Sequence, residues 1–378
     1  MYRNLRYIIL RFFSFKSLVL CVILFKIYFM SDFHSLKVAA VQQLTSSAVA
    51  ISFLIPDHLK DTFAFSAGQY ITISKVIDGV ELRRAYSISS VPAINKITVG
   101  VKKVTDGIFS VYANEKIKVG DVLEVMPPEG RFVFEPSNSA KHVAAFVAGS
   151  GITPIMSIAE TVLKSHLNST FVLVYGNQNA DEVMFSMEIK ELKKQYTNRF
   201  FVQHVFSRTQ EEDALFGRID ASTVNYIVKN KFKDTSFDAF YLCGPEEMID
   251  FVAETLQASG IAKEKIHFEL FTSSNTVDTM AENLDGKTQV EVVVDDENFS
   301  FTMDKKMLVL DAILKENIDA PYSCQGGVCS SCIARVTEGK AEMVKNQILT
   351  DGEIADGLIL TCQAHPLTPT LKVNFDDV

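Results

Sequence analysis

Three cysteines crowd into one short stretch near the end of the chain, Cys324-x4-Cys329-x2-Cys332, and Cys362 follows after 29 intervening residues. An iron–sulfur cluster needs thiolates converging from several directions. A tight loop supplies three of them and a strand returning beside it supplies the fourth. The rival occupant is a structural zinc ion, usually held by two separated Cys-x2-Cys pairs, and only one such pair is present. The spacing therefore predicts a [2Fe–2S] cluster on Cys324, Cys329, Cys332 and Cys362. Gly326 and Gly327 in the loop let backbone N–H groups approach the sulfurs, which tunes the potential. Clustering of this kind in a 378-residue chain argues for metal binding over a disulfide framework. Cys21 and Cys243 lie outside the pattern.

The rest of the chain is long enough for two or three domains. A hydrophobic content of 47% with 22% charged residues supplies ordinary globular cores. The net charge of −9 argues against a nucleic-acid partner. Residues 276–378 carry 18 acids against 8 bases, so the acidity concentrates in the last quarter. Two readings fit: a solvated surface, or a docking face steered toward a basic patch on a partner.

Residues 1–30 form a non-domain extension with five bases and no acid. An apolar run, Leu18–Phe25, ends at Lys26, too short for a membrane span of about 20 residues. It resembles the n- and h-regions of a signal peptide but lacks a clear small-x-small cleavage site. The preferred reading is a true start at Met30. A membrane-associating tail and an export signal are the alternatives, and the cytoplasmic character of the chemistry weighs against export.

Residues 31–137 read as short strands with Gly and Pro between them, which suggests an antiparallel β-barrel. Residues 138–272 alternate apolar strands (near 143–148, 171–175, 200–206 and 237–243) with helical stretches, the pattern of a parallel α/β sheet. Residues 273–288 are polar and read as a linker. Residues 289–378 open with two strands, 289–294 and 298–303, then a helix near 307–316 and the cysteine loop.

Two further motifs carry chemistry. Arg84-Ala85-Tyr86-Ser87 ends a strand-like segment, with Arg84 and Tyr86 on one face. A flavin requires a cation for its phosphates, an aromatic side chain against its ring and a hydrogen-bond partner near N5, and these are those residue types. Gly149-Ser150-Gly151-Ile152-Thr153-Pro154 follows the first apolar strand and opens a helix. Small residues there let the backbone approach a pyrophosphate, and the helix N-terminus attracts its charge.

These motifs, in this order, resemble the ferredoxin–NADP reductase superfamily, specifically oxygenase reductases carrying a C-terminal plant-type ferredoxin domain. Within that group the chain looks most like the reductase subunits of phenylacetyl-CoA epoxygenases. The resemblance covers residues 35–378. It implies three modules: an FAD-binding β-barrel, a Rossmann-like nucleotide domain and a β-grasp α+β ferredoxin domain. It assigns Arg84, Tyr86 and Ser87 to the flavin, with Gly68-Gln69-Tyr70 upstream. It assigns Gly107 and Ser110 to the pyrophosphate, which favours FAD over FMN. Gly149, Gly151, Thr153 and Pro154 fall to the nicotinamide nucleotide, as do Cys243, Gly244 and Pro245. Cys243 is implied to position the ring and Glu269 to lie near the flavin. Ser207 and Arg208 are implied to hold a 2′-phosphate, which favours NADPH over NADH. No side chain is required as a general acid or base. The expected function is a cytoplasmic NAD(P)H-dependent reductase serving an oxygenase partner that docks near the acidic ferredoxin domain. Three rivals remain: a reductase of another di-iron or Rieske oxygenase, a membrane-associated quinone reductase, and a non-catalytic redox sensor.

Overall fold

A computed structural model describes residues 33–92, 95–271, 278 and 280–378. The extension 1–30 with Cys21, and residues 273–277 and 279 of the linker, lie outside the described residues.

The first module is a six-stranded antiparallel sheet in the order β4-β3-β6-β1-β2-β5, built from β1 (His34–Thr45), β2 (Ala48–Leu54), β3 (Tyr70–Ile77), β4 (Val80–Ser87), β5 (Lys96–Lys102) and β6 (Val122–Val125). A bridge from Ile88 to Val99 joins the outer strands and closes the barrel. Alternating apolar residues such as Ile71 and Ile73 point inward onto Val99 and Phe109, and closure removes the open sheet edges. Helix α1 (Ile108–Glu115) caps one end.

The second module is a parallel sheet in the order β10-β9-β8-β7-β11-β12. Its strands are β7 (His142–Ala148), β8 (Thr170–Asn177), β9 (Phe200–Phe206), β10 (Ala214–Phe216), β11 (Ala239–Cys243) and β12 (Ile266–Glu269). The principal helices are α2 (Ile152–Ser165), α3 (Ser186–Gln195), α4 (Ala221–Asn225) and α5 (Glu246–Ala258). The short strands β10 and β12 extend the four-strand pattern read from sequence. Their residues are half-buried or exposed, so neither shows the continuous apolar run of a central strand.

The third module has a five-stranded mixed sheet, β14-β13-β17-β15-β16. A single helical turn, α6 (Met280–Asn283), precedes it. Its strands are β13 (Lys287–Val294), β14 (Glu297–Asp304), β15 (Ile333–Met343), β16 (Leu358–Leu360) and β17 (Ala364–Asn374), with α7 (Val309–Lys315) and α8 (Asp351–Ala355) between them. The parallel pairing of β13 with β17 inside an otherwise antiparallel sheet gives the β-grasp arrangement. The end of the expected linker belongs to this sheet: Lys287 and Thr288 are already in β13, and Thr288 is fully buried, donating to the Thr368 carbonyl at 2.7 Å.

The barrel and the nucleotide domain share one core. Ala48, Ala67, Phe132 and Phe134 of the barrel module pack in the same cluster as Val143, Ile155 and Tyr241. Each large side chain so buried is worth ~1.5–3 kcal/mol, so the interface is as apolar as a domain interior. Lys102 and Glu182, 2.8 Å apart, flank it.

Candidate active site and cluster centre

The Gly-rich turn lies where β7 ends. Gly149–Gly151 form one turn of 3-10 helix that leads straight into α2. Gly149 sits at φ +55° with open space where a side chain would project. Gly151 has ordinary helical φ, but a Cβ there would collide with the Cys243 carbonyl oxygen and come within 2.6 Å of its carbon. The turn and the end of β11 are therefore in backbone contact, and only glycine permits it. Tyr175 donates to the Gly149 carbonyl at 3.0 Å, and Thr153 donates to the Ser150 carbonyl at 3.1 Å, which fixes the turn. Pro154 is buried in the first turn of α2, where its missing N–H costs nothing.

A cleft of ≈ 740 Å³ opens along the C-terminal ends of these parallel strands, the usual place for a nucleotide on such a sheet. Gly149, Gly151, Gly244 and Pro245 line one part of it, and Ser207 and Arg208 another. Arg218 lines the same cleft and was not singled out from sequence. Its signal, a Gly217-Arg218 pair after a short strand, is common on surfaces. Phe271, at the end of the domain, was also passed over.

The barrel strand β4 meets the nucleotide domain at the end of β12. Ser87 donates to Glu269 at 3.0 Å, so the structure joins two residues far apart in sequence. Glu269 in turn pairs with Cys243 in the β11–β12 register. Cys243 is fully buried, and burial followed by the charge of Glu269 pushes its thiol well above the usual range. It is thus a neutral thiol, consistent with a packing part and not a nucleophile. Burial also raises Glu269 to about 8, with the Ser87 hydrogen bond opposing the shift. Because the folded chain holds this proton more tightly than the unfolded one, stability falls as pH climbs from 4.5 to about 8. Glu269→Gln should flatten that part of the curve, checked by thermal unfolding across the same window. An unaltered slope would mean the carboxyl is not held neutral.

Arg84 and Tyr86 leave β4 on one face, as i and i+2 must. Arg84 donates to the Arg83 carbonyl at 2.7 Å, and the Tyr86 ring lies 5.7 Å from that of Phe109 in α1. Gly107 caps α1. Ser110 donates to its carbonyl and accepts from the Val104 N–H at 3.1 Å, locking the turn that precedes the helix. The Arg84 side and the Gly107–Ser110 turn thus flank the same stretch of barrel, a cation and a helix N-terminus suited to a dinucleotide's phosphates.

The four cysteines converge. Cys324 is in hydrogen-bonding contact with Cys329 and Cys362, and Cys332 with Cys362. Those thiols hold Cys324 far below the ordinary value, helped by backbone N–H groups of Gly326 and Val328. The Gly326 N–H reaches Cys324 Sγ at 3.3 Å, as the glycines in the loop led us to expect. Gln325 and Gly327 adopt positive φ to make this curl. Among the described residues no three His, Cys, Asp or Glu side chains meet the geometry of one bound ion. The four thiols form a continuous run, Cys329–Cys324–Cys362–Cys332, three of them from one loop, which is the ligand pattern of a plant-type cluster. The donor set therefore fits a [2Fe–2S] cluster.

The acidity of the last module is partly used inside the molecule. Asp319 pairs with Arg83 at 2.9 Å, and Glu353 pairs with Arg131, both bases belonging to the barrel module. Among the described residues no helix is long and apolar enough to cross a membrane.

Comparison with known proteins agrees with this geometry. The oxidoreductase FAD-binding domain family matches residues 35–134, the oxidoreductase NAD-binding domain family residues 146–254, and the 2Fe-2S iron-sulfur cluster binding domain family residues 292–367. The chain is 37% identical over 352 residues to one of the subunits of the 1,2-phenylacetyl-CoA epoxidase of Escherichia coli (strain K12), covering 92% of this chain and 99% of that protein. It is 34% identical to the ferredoxin reductase component of 3-ketosteroid-9-alpha-monooxygenase of Rhodococcus rhodochrous, covering 90% and 96%. The crystal structure of phthalate dioxygenase reductase superposes with a TM-score of 0.58 at 22% identity, covering 91% of this chain and 98% of that one.

Proposed function

The chain belongs to the family of oxygenase reductases that join FAD-binding, NAD-binding and [2Fe–2S] domains, and from that premise we propose that its acceptor is the oxygenase component of a phenylacetyl-CoA epoxidase. It is an electron-transfer reductase. The observation that carries the reading is the 3.0 Å contact of Ser87 with Glu269, because it brings the flavin strand against the end of the nucleotide cleft. The second reading, a reductase for a steroid or other ring oxygenase, draws on the 34% identity to the 3-ketosteroid enzyme's reductase.

Bound cofactors supply the chemistry: flavin takes two electrons as hydride from the nicotinamide, and the cluster takes them one at a time. The residues do the placing. Arg84 neutralises flavin phosphate, Tyr86 covers the ring, and the Gly107–Ser110 turn receives the pyrophosphate. Ser87 and neutral Glu269 would hold a proton where the barrel and the nucleotide domain meet. Gly151 and Cys243 set how closely the nicotinamide approaches. The four cysteines hold the irons. The protein works in the cytoplasm, and its partner docks on the acidic ferredoxin module.

Ser207, Arg208 and Arg218 line one end of the cleft. Together they offer a hydroxyl and two guanidinium groups to a 2′-phosphate, so NADPH is the preferred donor. A lost charge-assisted hydrogen bond costs ~1.5–3 kcal/mol, so Arg208→Ala should raise KM for NADPH by roughly 10–100-fold. KM for NADH should barely move. Equal effects on both nucleotides would sink the NADPH assignment. The acceptor is tested by anaerobic reduction with NADPH, then addition of purified epoxidase component with phenylacetyl-CoA and oxygen. Prompt reoxidation of the cluster and epoxide formation are expected. If an unrelated oxygenase reoxidises it equally fast, the proposed partner is wrong.

A further inference from the structure

Tyr70 opens β3, directly opposite Ser87 on β4. Residues so paired leave the sheet on the same face. One face of the barrel thus carries Ser87, which reaches the nucleotide domain, and Tyr70, which reaches the ferredoxin module. The Tyr70 hydroxyl lies 3.0 Å from Ser331 Oγ and 3.3 Å from Ser330 Oγ. Both serines sit between the ligand cysteines Cys329 and Cys332. Ser331 donates to Glu129 at 2.9 Å, and the Tyr70 hydroxyl donates to the same carboxyl oxygen at 3.3 Å. Glu129 is itself fixed to Tyr70 through the backbone, by a mutual pair of N–H···O bonds at 2.8 and 2.9 Å.

The arrangement is buried. Tyr70 is 5% exposed, Cys329 5% and Ser331 8%. Its packing leaves no slack: a Cβ on Gly130 would come within 3.0 Å of the Tyr70 ring.

The nearby contacts show what this bridge fixes. Arg83, next in β4 to Arg84, pairs with Asp319 of the ferredoxin module and lies over the Tyr322 ring. On the other side, Lys345 and Gln347 of that module grip Glu246 at the start of α5. Val328 of the cysteine loop packs against the core of the nucleotide domain. These contacts hold the module as a body. Among the described residues, the hydrogen bonds of Tyr70 with Ser331 and Ser330 join the cysteine loop itself to the strand pair that carries Ser87, the shorter of them to Ser331.

Resting on the flavin and cluster assignments above, we propose that the hydrogen-bonded contact of Tyr70 with Ser331 is the bridge over which single electrons pass from the flavin site to the cluster. Electron transfer weakens steeply across open gaps and less steeply through bonded contacts, so a polar bridge in a dry interface is a favoured route. Each passage removes one electron from the reduced flavin and adds one to the cluster. Tyr70 and Ser331 are unchanged at the end, and no proton crosses. Tyr70 is a positioning residue here, acting through Ser331 on the cysteine loop.

The test uses the full holoprotein. Wild type, Tyr70→Phe, Ser331→Ala and the double variant are mixed anaerobically with NADPH, and flavin and cluster bands are followed separately by stopped flow. Iron and flavin content, the cluster's electron paramagnetic resonance signal and its midpoint potential are measured on each. The ratio of cluster to flavin bleaching rates should fall in each single variant, because an open gap replaces a bonded contact. The double variant should be no slower than Tyr70→Phe alone, since that change already removes the phenol's hydrogen bonds to the loop. Signal and potential should stay as in wild type. Wild-type ratios in Tyr70→Phe would overturn the bridge. So would slowing that comes with lost iron or a shifted potential, because the hydroxyl would then be building the cluster. If NADPH fails to bleach even the wild-type flavin, the proposed function itself falls, an outcome distinct from failure of the bridge.

Discussion

Cys332→Ser should leave a protein that takes hydride and cannot pass it on. Cys332 is 1% exposed and in contact with Cys362, and its carbonyl accepts from the Thr361 hydroxyl at 2.9 Å. A serine there is a poorer ligand for iron, and the site has no slack for another donor. The cluster's visible bands and paramagnetic signal should disappear. Electron delivery to a one-electron protein acceptor such as cytochrome c should collapse to background. Ferricyanide, which draws electrons from the flavin directly, should still be reduced at close to the wild-type rate, because the flavin and nucleotide residues lie on other modules. Cys243→Ala is the control. That cysteine is equally buried but meets Gly151 and Glu269, not the other thiols, so its loss should spare the cluster and slow the hydride step. Retention of a full cluster signal in Cys332→Ser would refute the ligand assignment.

The two halves of this chemistry were not equally legible in the sequence. The 2Fe-2S domain and the convergence of its four cysteines were, because three of those cysteines are close neighbours in the chain at a spacing that metal geometry constrains. The glycine turn was, because a continuous apolar strand, two glycines and a helix all fall within local sequence. The FAD-binding module was legible through the resemblance, since Arg84, Tyr86 and Ser87 alone describe many edge strands. What the sequence hid was contact between modules. Ser87 with Glu269, Tyr70 with Ser331 and Arg83 with Asp319 join residues separated by 182, 261 and 236 positions. No periodicity reports such a pair. The acid-rich last quarter is the instructive case: read as surface or docking face, it also supplies partners for Arg83 and Arg131, so a charge excess in one module was in part half of an interface. Arg218 escaped for the same reason, since it shares a cleft with Arg208 only when the strand ends gather.

Gly151→Ala should block the opposite end of the electron path. The added methyl has nowhere to go: the Cys243 backbone occupies its position, and rigid carbonyl atoms, not a flexible side chain, would have to move. Relieving the overlap requires roughly an ångström of separation between α2 and the end of β11. That shift widens the gap between the turn that receives the nucleotide and the strand end beside Glu269. Misplacement of that size costs about 100-fold in a reaction that depends on close approach, so kcat/KM for NADPH-driven ferricyanide reduction should fall by about that factor. Gly149→Ala is the informative comparison. Its φ of +55° makes alanine strained, but nothing lies within 4 Å of the new methyl. It should cost roughly 1–2 kcal/mol of local stability while moving no element against another, and so lose less activity. The block in Gly151→Ala lies before the flavin, so dithionite, which bypasses the nucleotide, should still generate the full cluster signal. NADPH should not generate it on the same timescale. If Gly151→Ala is reduced by NADPH as fast as wild type, the turn does not set the approach of the nicotinamide. If dithionite also fails, the fault lies in folding of the protein and not in the hydride step.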